Sequence, residues 1–148
     1  MMDAIDKKIL NTLQEKARVK RSEIAEYVGL SLPALSDRLN KLEENKIIEG
    51  YYAKLNRKEF EYDLMAFINV FMQSSTKFEE LIEHVNETPE ILECYAVLGE
   101  GSHMLKVIAK DTLHLETLLA KIQAWDGVTR TLTSFVLSTI KETTKIKI

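Results

Sequence analysis

The feature that most constrains the fold is a helix stop signal at Gly29 followed two residues later by a helix start signal at Ser31. A short helix is predicted to begin at Ser22, an N-cap residue type, and to end at Gly29, which takes left-handed backbone angles at little steric cost. Ser31 then caps a longer helix over residues 32–45, and Pro33 falls in its first turn, where a missing N–H does no harm. The sequence therefore predicts two helices joined by a tight turn.

Residues 3–16 add a helix in front of this pair, because apolar side chains recur there at three- and four-residue spacing. Two helices joined by a tight glycine-containing turn, with the second one longer, form a helix-turn-helix. In that motif the second helix enters the major groove of DNA. The same spacing also fits a three-helix bundle with a solvated polar face, and spacing alone does not decide between these two readings.

If the longer helix reads DNA, its outward face supplies the contacts, because Leu35, Leu39 and Leu42 are predicted to face the core. The residues that could reach base edges are Pro33, Ala34, Ser36, Asp37 and Asn40. The residues predicted to hold phosphates are Arg38 and Lys41. The two predicted caps, Ser22 and Ser31, complete the candidate DNA-binding set.

The charge of the chain is divided unevenly. Residues 1–58 carry twelve cations and nine acids, a net +3, whereas residues 59–148 carry eight cations and fourteen acids, a net −6. A basic half joined to an acidic half is what a DNA-contacting domain followed by another domain would show. The composition is that of a soluble globular protein, and no apolar run approaches the ~20 residues that cross a bilayer, so we expect a cytoplasmic protein.

Motifs of catalysis and cofactor binding are absent from the sequence. A single cysteine, Cys94, excludes an internal disulfide, and none of the three histidines has a second ligand at metal spacing. No nucleophile elbow, phosphate loop or dinucleotide fingerprint is present. We therefore expect no enzyme, no metal and no cofactor.

The pattern changes after residue 46. An extended strand is predicted over residues 47–56 and a charged connector over 57–62, which divides the chain into a DNA-binding domain, 1–58, and a second domain, 59–148. The second domain is predicted to contain, in order, strand 64–73, a helix around Leu81, strand 92–98, strand 104–109, a helix around Leu118 and strand 128–140.

This βαββαβ order predicts a ferredoxin-like, four-stranded antiparallel sheet with both helices on one face, so the fold class is α+β. Apolar residues lie on both faces of the first strand, with Ile68 and Val70 on one and Phe67 and Phe71 on the other. The face that the helices leave uncovered then needs another partner, and a second copy of the chain is the simplest one. We expect a homodimer at least.

The turn between the two middle strands is a candidate ligand site. Its residues are Gly99, Glu100, Gly101, Ser102 and His103, and their backbone N–H groups and hydroxyl could hold a small anion or carboxylate. The alternative is a glycine-bearing hairpin turn that binds nothing.

Several segments resemble the Lrp/AsnC (feast/famine) transcriptional regulators. They are residues 3–10, residues 31–43 with 47–51, residues 93–99 and residues 133–138, which together follow the order of that family along nearly the whole chain. The resemblance implies a winged helix-turn-helix domain and a ferredoxin-like RAM domain. It also implies dimers that associate into tetramers or octamers, many of which bind an amino acid between dimers.

By the same resemblance, an effector would meet the Gly99–His103 turn together with Thr133 and Ser134. The family turn commonly reads Gly-x-Tyr-Asp, whereas this chain has Gly99-Glu100-Gly101-Ser102, so Glu100 is its only carboxylate. We predict a sequence-specific DNA-binding regulator, modulated by an amino acid or related molecule. The alternatives are an architectural DNA-wrapping protein without effector, and a metabolite-binding or scaffold module without DNA.

Overall fold

A computed structural model describes residues 2–148 and divides the chain into two compact units. The first unit contains residues 2–54 together with Lys141–Ile148, and the second contains Leu55–Ile140. The sequence had placed all of residues 59–148 in the second domain, so the tail is grouped differently here. No helix of the described chain is long and apolar enough to span a membrane.

The first unit contains three helices: α1 (Ala4–Glu15), α2 (Arg21–Val28) and α3 (Leu32–Glu44). Asp3 caps α1 in a capping box with Asp6, and Gly29 ends α2 with a left-handed φ of 71°. The predicted cap at Ser22 is wrong. The N–H groups of Glu23 and Ile24 bond to the carbonyl of Lys20, which makes Lys20 the N-cap of α2.

The strand predicted over residues 47–56 does not form in the described chain. A β-strand needs a hydrogen-bonded neighbour, and no other segment of the described chain pairs with these residues. The side chains of Tyr52 and Leu55 are exposed as a result. High β-propensity alone therefore did not decide the local structure.

The second unit has the predicted βαββαβ order. A short 3₁₀ turn, Arg57–Phe60, precedes β1 (Leu64–Met72), and another, Ser75–Lys77, precedes α4 (Phe78–Asn86). There follow β2 (Ile91–Ala96), β3 (His103–Ala109), α5 (Thr112–Gln123) and β4 (Val128–Phe135). The strands form one antiparallel sheet in the order β2-β3-β1-β4, as the ferredoxin-like prediction requires.

The last strand ends five residues before the predicted end at Ile140. Its partner β1 begins at Leu64, and the pairing stops at Phe135 opposite Ala66, followed by one more bond from the N–H of Val136 to the carbonyl of Met65. Beyond that point no strand within residues 2–148 pairs with the segment that follows β4.

The two faces of the sheet differ, as predicted. Ile68 and Val70 are buried in a core with side chains from α4 and α5. The opposite face, which we call the open face, carries Phe67, Asn69 and Phe71 from β1 and Leu132 from β4. Phe67 and Leu132 are 37% and 41% exposed. The Oδ1 atom of Asn69 is buried without a hydrogen-bond partner in the described chain.

Candidate DNA-binding and effector sites

Helix α3 is held in place by its buried side. Leu35, Leu39 and Leu42 are at most 5% exposed and pack in one core with Ile9 of α1 and Ile24 of α2. The opposite side of α3 leaves the predicted base-reading side chains accessible: Pro33, Asp37 and Asn40 are exposed, and Ala34 and Ser36 are partly exposed.

The start of α3 is fixed by Ser31, as the sequence predicted. Its hydroxyl accepts a hydrogen bond from the N–H of Ala34 at 3.3 Å, and its carbonyl accepts one from the N–H of Leu35 at 2.9 Å. Because Pro33 has no N–H, the first turn of α3 has few unsatisfied donors. The N-terminal end of α3, which the sequence predicts to enter a DNA groove, is thus well defined.

Arg38 forms two ion pairs inside the unit, and its contact with phosphate stays a prediction. Its Nη1 lies 2.7 Å from Oδ2 of Asp3 and 2.7 Å from Oδ1 of Asp6. These carboxylates raise the pKa of Arg38, and the pKa of Asp3 is lowered first by the backbone N–H of Asp6 and then by Arg38. Arg38 therefore ties α3 to the start of α1.

The sequence reading missed this ion pair because Asp3 and Asp6 also fit a second role. Acids at the start of a helix interact favourably with its dipole, which explains them without a partner. The available signal was the position of Arg38 beside Leu39, which places it at the edge of the buried face of α3.

Lys41 remains a candidate phosphate ligand. Its side chain is exposed, and it forms no ion pair within residues 2–148. Ser22 lies exposed in the first turn of α2, where its N–H groups point out of the helix start. The structure therefore keeps Lys41 and Ser22 accessible, unlike Arg38.

The C-terminal tail belongs to the first unit, a contact that sequence reasoning did not find. The side-chain carboxamide of Gln14 accepts from the N–H of Ile146 at 2.7 Å and donates to the carbonyl of Ile146 at 3.2 Å. Lys145 pairs with Glu15, and Ile148 packs against the α1–α3 core. The tail thus lies along one side of α1.

The turn between β2 and β3 is sharp and closely packed. Gly99 and Gly101 have φ values of 124° and 84°, a region that favours glycine. A Cβ atom at Gly101 would lie 2.7 Å from the carbonyl oxygen of Val70, so only glycine fits there. The N–H groups of Gly99, Glu100 and Gly101 donate to no atom of residues 2–148. They are the free donors of the turn.

Ser102 and His103, by contrast, are already used in the fold. The N–H of Ser102 donates to the carbonyl of Val70 at 2.9 Å, and its hydroxyl lies 2.8 Å from Nδ1 of His103. His103 is buried with its ring edge-on to Phe78, and burial lowers the pKa of His103. These two residues shape the turn, and Glu100 remains its exposed carboxylate.

Thr133 and Ser134 are not brought to this turn within one chain. They lie opposite Ile68 and Phe67 on β1, two and three residues from Val70. Neighbouring residues of a strand point to opposite faces, so Thr133 faces the helices and Ser134 lies on the open face. The two side chains cannot both line one pocket of a single chain.

Comparison with protein families matches both units. The family model described as "Lrp/AsnC ligand binding domain" matches residues 65–146. The family model described as "Winged helix-turn-helix DNA-binding" matches residues 2–49. The first match contains the sheet and the Gly99–His103 turn, and the second contains α1, α2 and α3.

Individual relatives align with this chain over nearly its full length. The HTH-type transcriptional regulator FL11 of Pyrococcus furiosus is 30% identical over 100% of this chain and 97% of its own. The crystal structure of a transcriptional regulator from Neisseria meningitidis in complex with L-Met is 33% identical and superposes with a TM-score of 0.93, covering 99% of this chain and 97% of that one. A feast or famine regulatory protein from M. tuberculosis, also complexed with L-methionine, is 29% identical with a TM-score of 0.88 and 99% coverage of both chains.

With both domains matched in order and relatives aligned from end to end, the chain belongs to the Lrp/AsnC family of DNA-binding transcriptional regulators.

Proposed function

We propose that this regulator reads operator DNA with the exposed side of α3. Asn40, Asp37 and Ser36, with Pro33 and Ala34 beside them, contact base edges in the major groove. Lys41 and the serines at the helix starts, Ser22 and Ser31, contact phosphates. The observation that carries this assignment is the capped α3, whose Leu35–Leu39–Leu42 side is buried while its polar side is accessible.

Selection of bound duplexes from a random pool tests the proposal. The wild-type protein is expected to enrich a defined sequence, and Asn40→Ala is expected to change that sequence more than the affinity, because a bidentate base contact discriminates by about 1–3 kcal/mol. Glu44→Ala, at the exposed end of the same helix, is the matched control and should enrich the wild-type sequence. If Asn40→Ala enriched the same sequence as wild type and Glu44→Ala, base reading by Asn40 would be refuted.

We also propose that the open face of the sheet forms a homodimer. Its apolar side chains Phe67 and Leu132 are exposed, and the ring of Phe71 is covered only by the guanidinium of Arg130, 3.9 Å from its centroid, among the described residues. A second copy supplies such a cover, and two-fold symmetry suits a helix-turn-helix protein that reads paired half-sites. A partner group would also satisfy the buried Oδ1 of Asn69.

We further propose that the Gly99–Gly101 turn binds the α-carboxylate of an amino acid such as methionine. The three free N–H groups of the turn support carboxylate binding. Glu100, the exposed carboxylate of the turn, is our proposed partner of the α-ammonium group. The relatives solved with L-methionine support the ligand class. Further protomers complete the site, since Thr133 and Ser134 of the same chain lie elsewhere along β4.

Calorimetric titration with the amino acids tests the effector proposal. Glu100→Gln is expected to weaken binding by about 1.5–3 kcal/mol, the scale of a hydrogen bond to a charged group. Glu87→Gln, an exposed acid after α4, is the matched control and should bind like wild type. Equal affinities for Glu100→Gln and wild type would reject the role of Glu100. Failure of every amino acid to bind wild type would favour an architectural regulator that wraps DNA without an effector.

A further inference from the structure

The segment between α1 and α2, together with the first residue of α2, is the most basic stretch of the first unit. Residues 16–21 read Lys-Ala-Arg-Val-Lys-Arg, so four of the six are cations and none is an acid. All four cationic side chains are exposed, and none of them forms an ion pair within residues 2–148. We call residues 16–21 the basic connection.

Three other cations of the first unit, Arg38, Lys54 and Lys145, form ion pairs with acids. Arg38 binds two carboxylates of α1, and Lys54 pairs with Glu142 of the tail at 2.7 Å. Glu15, the residue immediately before the basic connection, is paired with Lys145, which lowers the pKa of Glu15. The tail therefore neutralises the acid that would otherwise offset the charge of the basic connection.

The basic connection is also anchored beside the recognition helix. Val19 is half-buried against the α1–α3 core, whereas Arg18 and Lys20 on either side of it are exposed. Arg21 lines a cleft of about 200 Å³ together with Leu39 of α3. Val19 and Arg21 thus anchor the basic connection to the core that contains α3.

The start of α2 adds backbone donors to this surface. Lys20 is the N-cap of α2, and its side chain makes no capping hydrogen bond. Its backbone carbonyl accepts hydrogen bonds from the N–H groups of Glu23 and Ile24. The N–H groups of Arg21 and Ser22 donate to no atom of the described chain. They lie at the positive end of the helix dipole, among the cations of the basic connection.

We infer that the basic connection is a second DNA-contact surface, which holds the phosphates of the backbone flanking the groove that α3 enters. Six residues reach at most about 20 Å, and one DNA strand carries a charge every ~3.4 Å of axis, so the segment can face more than one phosphate. In helix-turn-helix proteins the first helix of the motif crosses the DNA backbone. In this chain that helix is α2, and the basic connection lies at its start. The inference rests on the proposed mode of DNA binding by α3, and it adds phosphate contacts to those proposed for Lys41.

Paired charge-removing variants test this surface. Lys16→Gln/Arg18→Gln and Lys20→Gln/Arg21→Gln each remove two cations of the basic connection. The matched control is Lys7→Gln/Lys8→Gln, which removes two exposed cations from α1 at least eight residues, or about 12 Å, away. Affinity for a short random-sequence duplex is measured by fluorescence anisotropy over a range of salt concentrations.

Each basic-connection variant is expected to reduce the slope of log K against log salt by about 0.9 per lost phosphate contact, or about 1.8 for two. The control should keep the wild-type slope, because a loss of net charge alone removes no phosphate contact. A charge-preserving variant, Lys20→Arg/Arg21→Lys, should restore the slope and shows that the fold is intact. Thermal midpoints matching wild type provide the same check for the glutamine variants.

The outcomes separate the inference from the proposed function. Wild-type binding with slopes unchanged in both basic-connection variants would overturn the inference and leave DNA reading by α3 standing. A slope reduced equally in the control would also overturn it, since the effect would then be one of net charge. Failure of wild type to bind any duplex would overturn the proposed mode of DNA binding together with this inference.

Discussion

The contact between Gln14 and the C-terminal tail leads to a quantitative prediction. The carboxamide of Gln14 makes two hydrogen bonds with the backbone of Ile146, one as acceptor and one as donor, in the manner of a neighbouring β-strand. Replacing Gln14 with alanine removes both bonds and leaves α1 intact, because alanine is a strong helix former. We expect Gln14→Ala to release the tail from α1 more often without unfolding the first unit.

The size of the effect follows from the geometry. A net hydrogen bond contributes about 0.5–1.5 kcal/mol, and both of these bonds are exposed, so we take the lower limit for each and about 1 kcal/mol for the pair. At 1.4 kcal/mol per factor of ten, the population of the released tail should rise about fivefold. The packing of Ile148 on the core is unchanged, so the tail should remain mostly bound.

Two measurements report this population directly. The amide hydrogen of Ile146 should exchange about fivefold faster in Gln14→Ala, and trypsin should cleave after Lys145 correspondingly faster, because both processes follow the fraction of open molecules. Gln123→Ala is the matched control: it removes the bond from another helical glutamine to Thr131 in the second unit. If the exchange rate at Ile146 stayed at the wild-type value, the tail would not be held by Gln14 and this reasoning would fail.

Two further predictions concern the second unit. Phe67→Glu should split the proposed dimer in analytical ultracentrifugation, because a buried unpaired carboxylate costs several kcal/mol. The control Leu113→Glu, at an exposed position of α5, should remain dimeric. A Phe67→Glu variant that is still dimeric would place the interface elsewhere. Burial lowers the pKa of His103 from its usual 6.5, so the unfolded chain binds more protons than the native one as the pH falls. The stability that neutral His103 contributes is present above pH 6.5 and is lost as the pH falls below it. In His103→Asn the thermal midpoint should therefore decline less on acidification. The same decline of thermal midpoint with pH in His103→Asn and wild type would contradict this.

Local sequence signals were sufficient where a residue's conformation depends on its immediate neighbours. The cap at Ser31 and the left-handed Gly29 were predicted correctly, because a hydroxyl bonding a nearby N–H and a glycine at a helix end are short-range effects. The βαββαβ order was predicted for the same reason, since its strands and helices differ in apolar period. The predicted N-cap of α2 was two residues too late. Ser22 in the first turn resembles an N-cap as long as the backbone hydrogen bonds of the helix start are unknown.

The predictions that failed depended on segments far apart in the chain. Residues 47–56 have the composition of a strand but no neighbour in the described chain, and β4 ends where β1 no longer runs beside it. The ion pairs of Arg38 with Asp3 and Asp6, each at 2.7 Å, were not predicted either, and its contact with phosphate stays a prediction. A single sequence without its contacts carries no direct signal for these pairings.

The charge of the DNA-binding unit shows how such contacts change a functional argument. Residues 1–58 have a net charge of +3, and the first unit, residues 1–54 with Lys141–Ile148, also has +3, but the tail supplies two of those three charges. The predicted domain and the observed first unit therefore have the same net charge, but part of it comes from different residues. What distinguishes the basic connection is local: four cations without an acid, beside a Glu15 that the tail has already paired. Because screening in salt solution limits charge interactions to roughly 10 Å, this unpaired local charge governs phosphate binding more than the sum over the unit.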